Sequence, residues 1–262
     1  MPPIDASTDA GTAPVAEPRT SAARAENTDG QDTLDLRLPD ELLALIAEQN
    51  ATGPGTGPAT TGRPDRPTAL TEHDLLDDVG EWGPVATPSG VFQLIPARVE
   101  RDVPLISRWM NDPAVAAFWE LAGPDSVTAD HLTPQLDGDG RSVPCLGVLD
   151  GTPMSYWEIY RADLDPLARH YPARPHDTGI HLLIGGVANR GRGLGTTLLK
   201  AVADHVLDHR PQCARVVAEP DLRNTPSVSA FLSAGFRLSA EVDLPDKRAA
   251  LMMRDRALRA AL

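Results

Sequence analysis

The sequence is poor in aromatic residues. It contains four Trp, three Tyr and four Phe in 262 positions, and the first of them is Trp82. Large apolar rings supply much of a folded core, so a first third without them, with Pro-Gly-Thr runs such as 51–61, is typical of a disordered segment. We therefore predict a largely disordered, low-complexity tail over residues 1–88, with a candidate short helix at 39–49, and a folded domain over residues 89–262.

Excess positive charge and long apolar runs are also missing. The formal net charge of -13 excludes binding of nucleic acid by general attraction to its phosphates. The sequence has no run of about eighteen apolar residues, the length that a membrane-spanning helix needs. Residues 1–20 lack the features of a secretion signal. The two cysteines, Cys145 and Cys213, are too few for a disulfide scaffold or a zinc site. We predict a cytoplasmic protein with no metal site and with neither nucleic-acid nor membrane partners.

From residue 90 onward, the sequence alternates between strand and helix patterns. Apolar runs rich in β-branched residues predict strands, apolar residues spaced by three and four predict helices, and Asp150-Gly151 predicts a tight hairpin. The predicted strands are 91–97, 144–149, 153–161, 179–185, 214–218, 236–242 and 249–254. The predicted helices are 102–110, a second one through Trp119, 196–209 and 226–234. This order describes an α/β domain with a mixed sheet.

A glycine-rich turn lies between one of these strands and the helix after it, with the sequence Arg190-Gly191-Arg192-Gly193-Leu194-Gly195. Glycines let backbone N–H groups and the positive end of a helix dipole face an anion, and a pyrophosphate is the natural ligand. No Lys-Ser or Lys-Thr follows Gly195, and Leu198 stands where a dinucleotide-binding motif needs its third glycine. A tight turn without a ligand is the alternative interpretation.

Further along the chain, Asn224 opens a helix that ends in Gly235-Phe236. The positions of these residues, together with Arg190, Gly193 and Gly195 of the glycine turn, resemble the pattern of the GNAT acetyltransferase superfamily. The resemblance implies the GNAT acyl-CoA N-acyltransferase fold, in which a mixed, mostly antiparallel central sheet is flanked by helices. It also implies acyl-CoA as the co-substrate.

In that superfamily two neighbouring strands splay apart and the pantetheine arm of CoA lies between them. The resemblance implies that this arm pairs with backbone near Leu183 and Ile184, and that amides of the glycine turn hold the CoA pyrophosphate. The implied CoA-binding residues are Leu183, Ile184, Arg190, Gly191, Arg192, Gly193, Leu194, Gly195, Thr196 and Asn224. Phe231 departs from the pattern, because it replaces a tyrosine that often protonates the leaving thiolate.

A narrower resemblance covers residues 92–254. The stretches at 108–113, 156–160, 177–181 and 219–224 look like the siderophore-biosynthesis branch of the superfamily, which includes N6-hydroxylysine acetyltransferases, mycobactin lysine N-acyltransferases and rhizobactin- and desferrioxamine-type acyltransferases. In this branch a histidine and a carboxylate form the proposed catalytic pair.

His181 and Glu219 occupy the positions of that pair, and an imidazole is suited to accept a proton near neutral pH. Asp221 is a second candidate for the carboxylate that orients the imidazole. In this family the strand that carries Trp157 and Tyr160 borders the acceptor cleft. We therefore name these two residues, with His181, as candidate substrate-binding residues.

The resemblance implies direct transfer of an acyl group from CoA, with acetyl- or succinyl-CoA as the expected donor and His181 as the general base. The acceptor is a small-molecule amine or hydroxylamine derived from lysine or from a diamine, and the product is a hydroxamate iron ligand. Other enzymes of a siderophore pathway are candidate partners. Two alternatives stay open: a GNAT enzyme that acetylates an antibiotic, polyamine or protein amine, and an acyl-CoA-binding module without turnover.

Overall fold

One mixed sheet runs through the part of the chain that this computed structural model describes, which is Leu76 and residues 78–261. Its eight strands are β1 (Val85–Thr87), β2 (Gly90–Pro96), β3 (Ser142–Leu149), β4 (Thr152–Arg161), β5 (Thr178–Ile184), β6 (Arg215–Ala218), β7 (Arg237–Asp243) and β8 (Arg248–Asp255). Their order across the sheet is β1-β2-β3-β4-β5-β6-β8-β7. Only the β5–β6 pair is parallel. The predicted mixed, mostly antiparallel sheet is confirmed.

Five α-helices accompany these strands in the described residues. They are α1 (Val99–Met110), α2 (Pro113–Trp119), α3 (Asp125–Leu136), α4 (Leu194–His209) and α5 (Thr225–Ser233). The start of α2 follows from its sequence, because the Asp112 carboxylate accepts a hydrogen bond from Ala114 N and Pro113 has no N–H to leave unpaired. None of these helices is long and apolar enough to cross a bilayer.

The helices cover two different faces of the sheet. Side chains of a strand alternate between its faces, so on β4 Trp157 packs into the apolar cluster formed with α4, whereas Tyr156 packs into the cluster formed with α1 to α3. Both rings are fully buried. The position of a residue in this alternation therefore decides which side of the sheet it serves.

The sheet opens between its two parallel strands. Strands β5 and β6 pair only at Thr178 with Val216 and at Gly179 with Val217, although β5 continues for five more residues to Ile184. On its other side β5 is paired with β4 along its whole length. The C-terminal half of β5 thus has one backbone edge free of strand pairing, as the resemblance implied.

Two elements were missed by the sequence patterns. Strand β1 is only three residues long, and α3 buries just Thr128 and Leu132, so its apolar residues show almost no helical periodicity. Helix α3 also contains Pro134, in its last turn, where a missing N–H and ring clash weigh against a helix prediction. The other predicted strands and helices are confirmed, with ends that differ by a few residues.

Packed residues extend to the N-terminal side of residue 89, where we predicted the domain to begin. Leu76, Val79 and Trp82 are buried in the same cluster as α4, and the Trp82 ring stacks on His209 with 5.4 Å between centroids. Three apolar side chains among polar neighbours give no periodic signal, so the sequence patterns did not assign them to the packed core. The candidate helix at 39–49 lies outside the described residues.

We expect Trp82→Ala to lower the free energy of unfolding by about 3 to 5 kcal/mol, because it removes a large, 94 % buried ring from this cluster and leaves a cavity. Urea denaturation followed by circular dichroism measures the change. Val91→Ala is the control, since that side chain is 52 % exposed. Equal stabilities of the two variants would show that the segment before residue 89 contributes little to the fold.

Candidate active site

A cavity of about 830 Å³ lies among the C-terminal half of β5, the glycine turn, α2 and α5. Eight of the ten predicted CoA-binding residues line it: Leu183, Ile184, Arg190, Gly191, Gly193, Gly195, Thr196 and Asn224. The remaining two, Arg192 and Leu194, are not among its lining residues. Asn224 also caps α5, where its side-chain oxygen accepts a hydrogen bond from Ser227 N.

The glycine turn presents free backbone donors to this cavity. Gly191 and Gly193 have φ of +70° and +78°, and a Cβ on either would meet no protein atom within 4 Å. Gly193 is the N-cap of α4, and among the described residues no protein acceptor is bound by an amide from 191 to 196. A positive helix end with unpaired N–H groups and open space around its glycines fits an anionic group such as a diphosphate.

Arg190, which is part of the cavity wall, also joins three elements of the protein. Its Nε and Nη2 atoms donate to the carbonyls of Ile184 and Gly185 at 2.8 and 2.7 Å, and its Nη1 donates to Asp112 at 2.9 Å. Each guanidinium nitrogen therefore already has a protein acceptor. The side chain fastens the turn to the end of β5 and to the N-cap of α2.

His181 lies on β5 between two buried carboxylates. Its Nδ1 is 2.9 Å from an oxygen of Glu158, the residue directly opposite it on β4. Its Nε2 is hydrogen-bonded to Glu219, which follows β6. Glu219 also accepts a hydrogen bond from the Tyr160 hydroxyl at 2.8 Å, and the Tyr160 and His181 ring centroids are 4.7 Å apart. The predicted residues His181, Glu219 and Tyr160 thus meet, joined by Glu158, which we did not predict.

Two predicted site residues lie elsewhere. The Asp221 carboxylate binds the Arg223 side chain and backbone N–H, with no hydrogen bond to His181. Trp157 is fully buried on the opposite face of β4, where its indole N–H donates to Ser155 at 2.8 Å. Because Trp157 and Tyr160 are three positions apart on one strand, they cannot share a face. Of the two carboxylates that the sequence offered as partners of His181, Glu219 and Asp221, Glu219 is the one that contacts the imidazole.

The pairing with carboxylates keeps His181 charged. Burial disfavours the imidazolium, but the charge of Glu219 and hydrogen bonds to Glu158 and Glu219 outweigh it and raise the pKa of His181 to about 10. Burial likewise opposes ionisation of Glu219, yet His181 and, at 3.7 Å, Lys247 lower the pKa of Glu219 to about 2. At neutral pH the imidazolium donates through both nitrogens.

His181 lies beside the cavity and is not among the residues that line it. Trp119 of α2 does line the cavity, and its ring centroid is 6.2 Å from that of His181 in an edge-to-face arrangement. The next two residues of β5, Leu182 and Leu183, are also part of the cavity wall. The His181 side chain is 34 % exposed, so it remains accessible next to the open end of the sheet.

Residues 98–244 match the family described as Acetyltransferase (GNAT) domain, which covers more than half of the chain. The chain belongs to the GNAT acetyltransferase family. It is accordingly an acyltransferase enzyme, and the fold class predicted from the glycine turn and from Asn224 is confirmed.

Several curated relatives carry names from the narrower branch. Lysine N-acyltransferase MbtK of Mycobacterium sp. strain MCS is 38% identical over 160 residues, which are 61% of this chain and 65% of the relative. MbtK of Mycobacterium tuberculosis strain H37Rv is 33% identical over 201 residues, 75% of this chain and 95% of the relative. N(6)-hydroxylysine O-acetyltransferase of Escherichia coli is 37% identical over 155 residues, 59% and 49% of the two chains. The resemblance to the siderophore branch is thereby confirmed.

Solved structures agree on the fold. An uncharacterized protein of Bacillus halodurans is 33% identical, with a TM-score of 0.64 over 68% of this chain and 92% of that one. The aminoglycoside acetyltransferase AAC(6')-Ib, solved in complex with coenzyme A, has a TM-score of 0.57 over 65% and 98% of the two chains, at 21% identity. At that identity the likeness concerns the fold alone.

The raised pKa of His181 makes stability depend on pH. Because the ordinary pKa is 6.5 and the folded one about 10, the ion pairs contribute fully below pH 6.5 and are lost as pH rises through 10. The difference in unfolding free energy between wild type and His181→Gln should therefore be largest near pH 6 and shrink toward pH 10. Denaturant titrations at several pH values measure it. A His181→Gln difference that does not change with pH would contradict the pairing.

Proposed function

We propose that this enzyme transfers an acyl group from acyl-CoA to the nitrogen of a hydroxylated lysine or diamine, which yields a hydroxamate. Relatives named for lysine N-acylation and for acetylation of N(6)-hydroxylysine support this acceptor class. A hydroxylamine nitrogen is only weakly basic, so much of it is neutral at pH 7 and ready to attack. Acetyl- and succinyl-CoA are the donors we favour.

The residues of the cavity fit acyl-CoA. The unpaired amides of the glycine turn and the positive end of α4 would hold the diphosphate, and the free backbone edge of β5 at Leu183 and Ile184 would pair with the pantetheine amides. The hydrophobic side chains of Val115, Phe118 and Trp119 form the wall of the same cavity. Bound acyl-CoA would supply an activated thioester to this site.

The acceptor nitrogen would attack the thioester carbonyl carbon, after which the C–S bond breaks and CoA leaves as its thiolate. One proton must leave the nitrogen as the C–N bond forms. Since the nitrogen is positively charged in the tetrahedral adduct, it is a strong acid, and a carboxylate suffices to accept this proton. We assign that role to the Glu219–His181 pair, in which the imidazolium already holds Glu219 in place.

This assignment refines the expectation that His181 alone is the general base. Its two nitrogens both face carboxylates, and its pKa of about 10 leaves little neutral imidazole at pH 7. The observation that carries the proposal is the placement of this imidazolium between two carboxylates, beside a cavity at the point where β5 and β6 separate.

The function is tested by mixing the enzyme with acetyl-, succinyl- and longer acyl-CoA against N6-hydroxylysine, lysine and N-hydroxycadaverine. Free thiol reports cleavage of the thioester, and the coloured ferric complex reports the hydroxamate. We expect both signals with a hydroxylated acceptor. Thiol release with lysine but with neither hydroxylated acceptor would show that the enzyme acylates an ordinary amine. Tight CoA binding without thiol release from any pair would point to a binding module.

Removing either member of the pair should slow turnover. We expect His181→Gln and Glu219→Gln to lower kcat by about 10²-fold or more, as for loss of a general base, with CoA affinity retained. Glu100→Gln is the matched control, because that glutamate is exposed on α1.

The pH profile distinguishes the two assignments of the base. With a hydroxylated acceptor, kcat should stay nearly constant from pH 7 to pH 9 if Glu219 accepts the proton. A tenfold rise in kcat for each pH unit up to about 10 would instead identify neutral His181 as the base. If His181→Gln and Glu219→Gln both keep the wild-type kcat, the Glu219–His181 pair does not take part in the proton transfer.

A valine in the glycine turn should weaken CoA binding. Gly193 has φ of +78°, which a β-branched side chain adopts only at a cost of about 1 to 3 kcal/mol, so we expect Gly193→Val to reduce CoA affinity about tenfold or more in calorimetry. Gly83→Val is the control, because Gly83 has φ of +74° and does not line the cavity. Equal CoA affinities for both variants and wild type would count against the turn as the diphosphate site.

A further inference from the structure

The carboxylate of Glu158 is the most heavily bonded group near His181. The residue is 94 % buried on β4, and its Oε2 atom accepts the hydrogen bond from His181 Nδ1. A carboxylate in such surroundings is costly unless each oxygen is satisfied. Glu158 lies within the stretch 156–160 that resembles the siderophore branch, but the resemblance gave it no role. Nothing in the proposed transfer step requires it to touch either substrate.

Its other oxygen, Oε1, accepts three hydrogen bonds. The Tyr156 hydroxyl donates at 2.8 Å, Gln135 Nε2 at 2.9 Å and His131 Nε2 at 2.6 Å. Gln135 is held in turn by Ser142, whose hydroxyl donates to Oε1 of Gln135 at 2.6 Å. Because a carboxylate oxygen only accepts, this set fixes the proton on His131 Nε2 and the orientation of the Gln135 amide.

His131 and Gln135 are four residues apart on α3, so they project from the same face of that helix. Helix α3 is therefore bound to the site by polar contacts, in addition to the burial of Leu132. Most of its remaining surface is exposed or half-buried. The contacts with Glu158 give a reason for α3 to lie where it does, which its weak apolar periodicity does not supply.

The bonds to Glu158 dictate what His181 can do. Burial would raise the pKa of Glu158, but hydrogen bonds and charge from His131 and His181 lower it well below its usual range, so the group is ionised. An ionised Glu158 requires a proton on His181 Nδ1, which fixes the plane of the ring and directs Nε2 toward Glu219. The third buried group of a serine-protease triad orients its histidine by the same logic.

We propose that Glu158 is the positioning residue for His181, and that helix α3 holds Glu158 in place through His131 and Gln135. This inference rests on the proposed function, because it assigns Glu158 a part in the proton transfer at the Glu219–His181 pair. Glu158 acts on the reaction only through the imidazole. Helix α3 thereby acts on the reaction through two intervening side chains, Glu158 and His181.

The first experiment replaces the charge and keeps the shape. In Glu158→Gln the imidazolium loses one of its two anionic partners, so NMR titration of histidine-labelled protein should show a lower pKa for His181. We expect kcat to fall about tenfold or more, with KM for acyl-CoA within about twofold of wild type. A merely structural role would leave the His181 titration unchanged.

The second experiment avoids a buried substitution. The His131 side chain is 30 % exposed, so His131→Gln should fold, and we expect a several-fold lower kcat together with a shifted His181 titration. The matched control is His170→Gln, at an exposed histidine in another part of the chain, where both values should equal those of wild type. The combined effect of His131→Gln and Glu158→Gln should be less than additive, because both act on one carboxylate.

The positioning role is overturned if folded Glu158→Gln and His131→Gln both keep the wild-type His181 titration, whatever their kcat. It is also overturned if the titration shifts and kcat does not change. Absence of acyl transfer by the wild type would defeat the proposed function instead. The NMR titration needs no substrate, so it tests the effect of Glu158 on His181 independently of that outcome.

Discussion

Three charged side chains in a row hold this site together. Glu158, His181 and Glu219 belong to β4, to β5 and to the segment after β6. The Glu158–His181 bond joins two paired strands, and the His181–Glu219 bond spans the gap where the pairing of β5 with β6 has stopped. Burying two carboxylates beside one imidazole is favourable only when every charge is compensated. The open end of the sheet therefore depends on this array, which replaces the missing backbone bonds between β5 and β6 with side-chain ones.

The same array reconciles an apolar cavity with polar chemistry. Leu182 and Leu183 continue β5 from His181 directly into the cavity wall, and Trp119 contacts the imidazole ring while it forms part of that wall. The charged array thus lies beside a wall that is mainly apolar, in which Arg190 is a charged lining residue at the glycine turn. Such an arrangement suits a long, mostly neutral ligand arm that carries one reactive group.

Much of the site could be predicted from the sequence, because its parts are local. The glycine turn is a run of adjacent residues, and the positions of His181 and Glu219 follow from a family pattern. Glu158 could not be found in this way, since a carboxylate in a strand of aromatic residues is uninformative until the strand opposite it is known. Trp157 was assigned to the cleft because its position in the strand alternation was not used to choose a face.

Helix α3 and the buried segment around Trp82 escaped the sequence patterns for the same physical reason. Helix α3 and the segment that carries Trp82 are held mainly by contacts with distant parts of the chain, through the hydrogen bonds of His131 and Gln135 in the first case and through stacking on His209 in the second. Periodicity reports the burial of a whole helix face or strand face. It cannot report a few anchoring contacts.

Arg190 adds a mechanical consequence. One guanidinium ties together the end of β5, the glycine turn and, through Asp112, the first residues of α2. The glycine turn and α2, which both line the cavity, are consequently joined by this one side chain. The place of the diphosphate donors and the place of Trp119 beside His181 are therefore set by the same three hydrogen bonds.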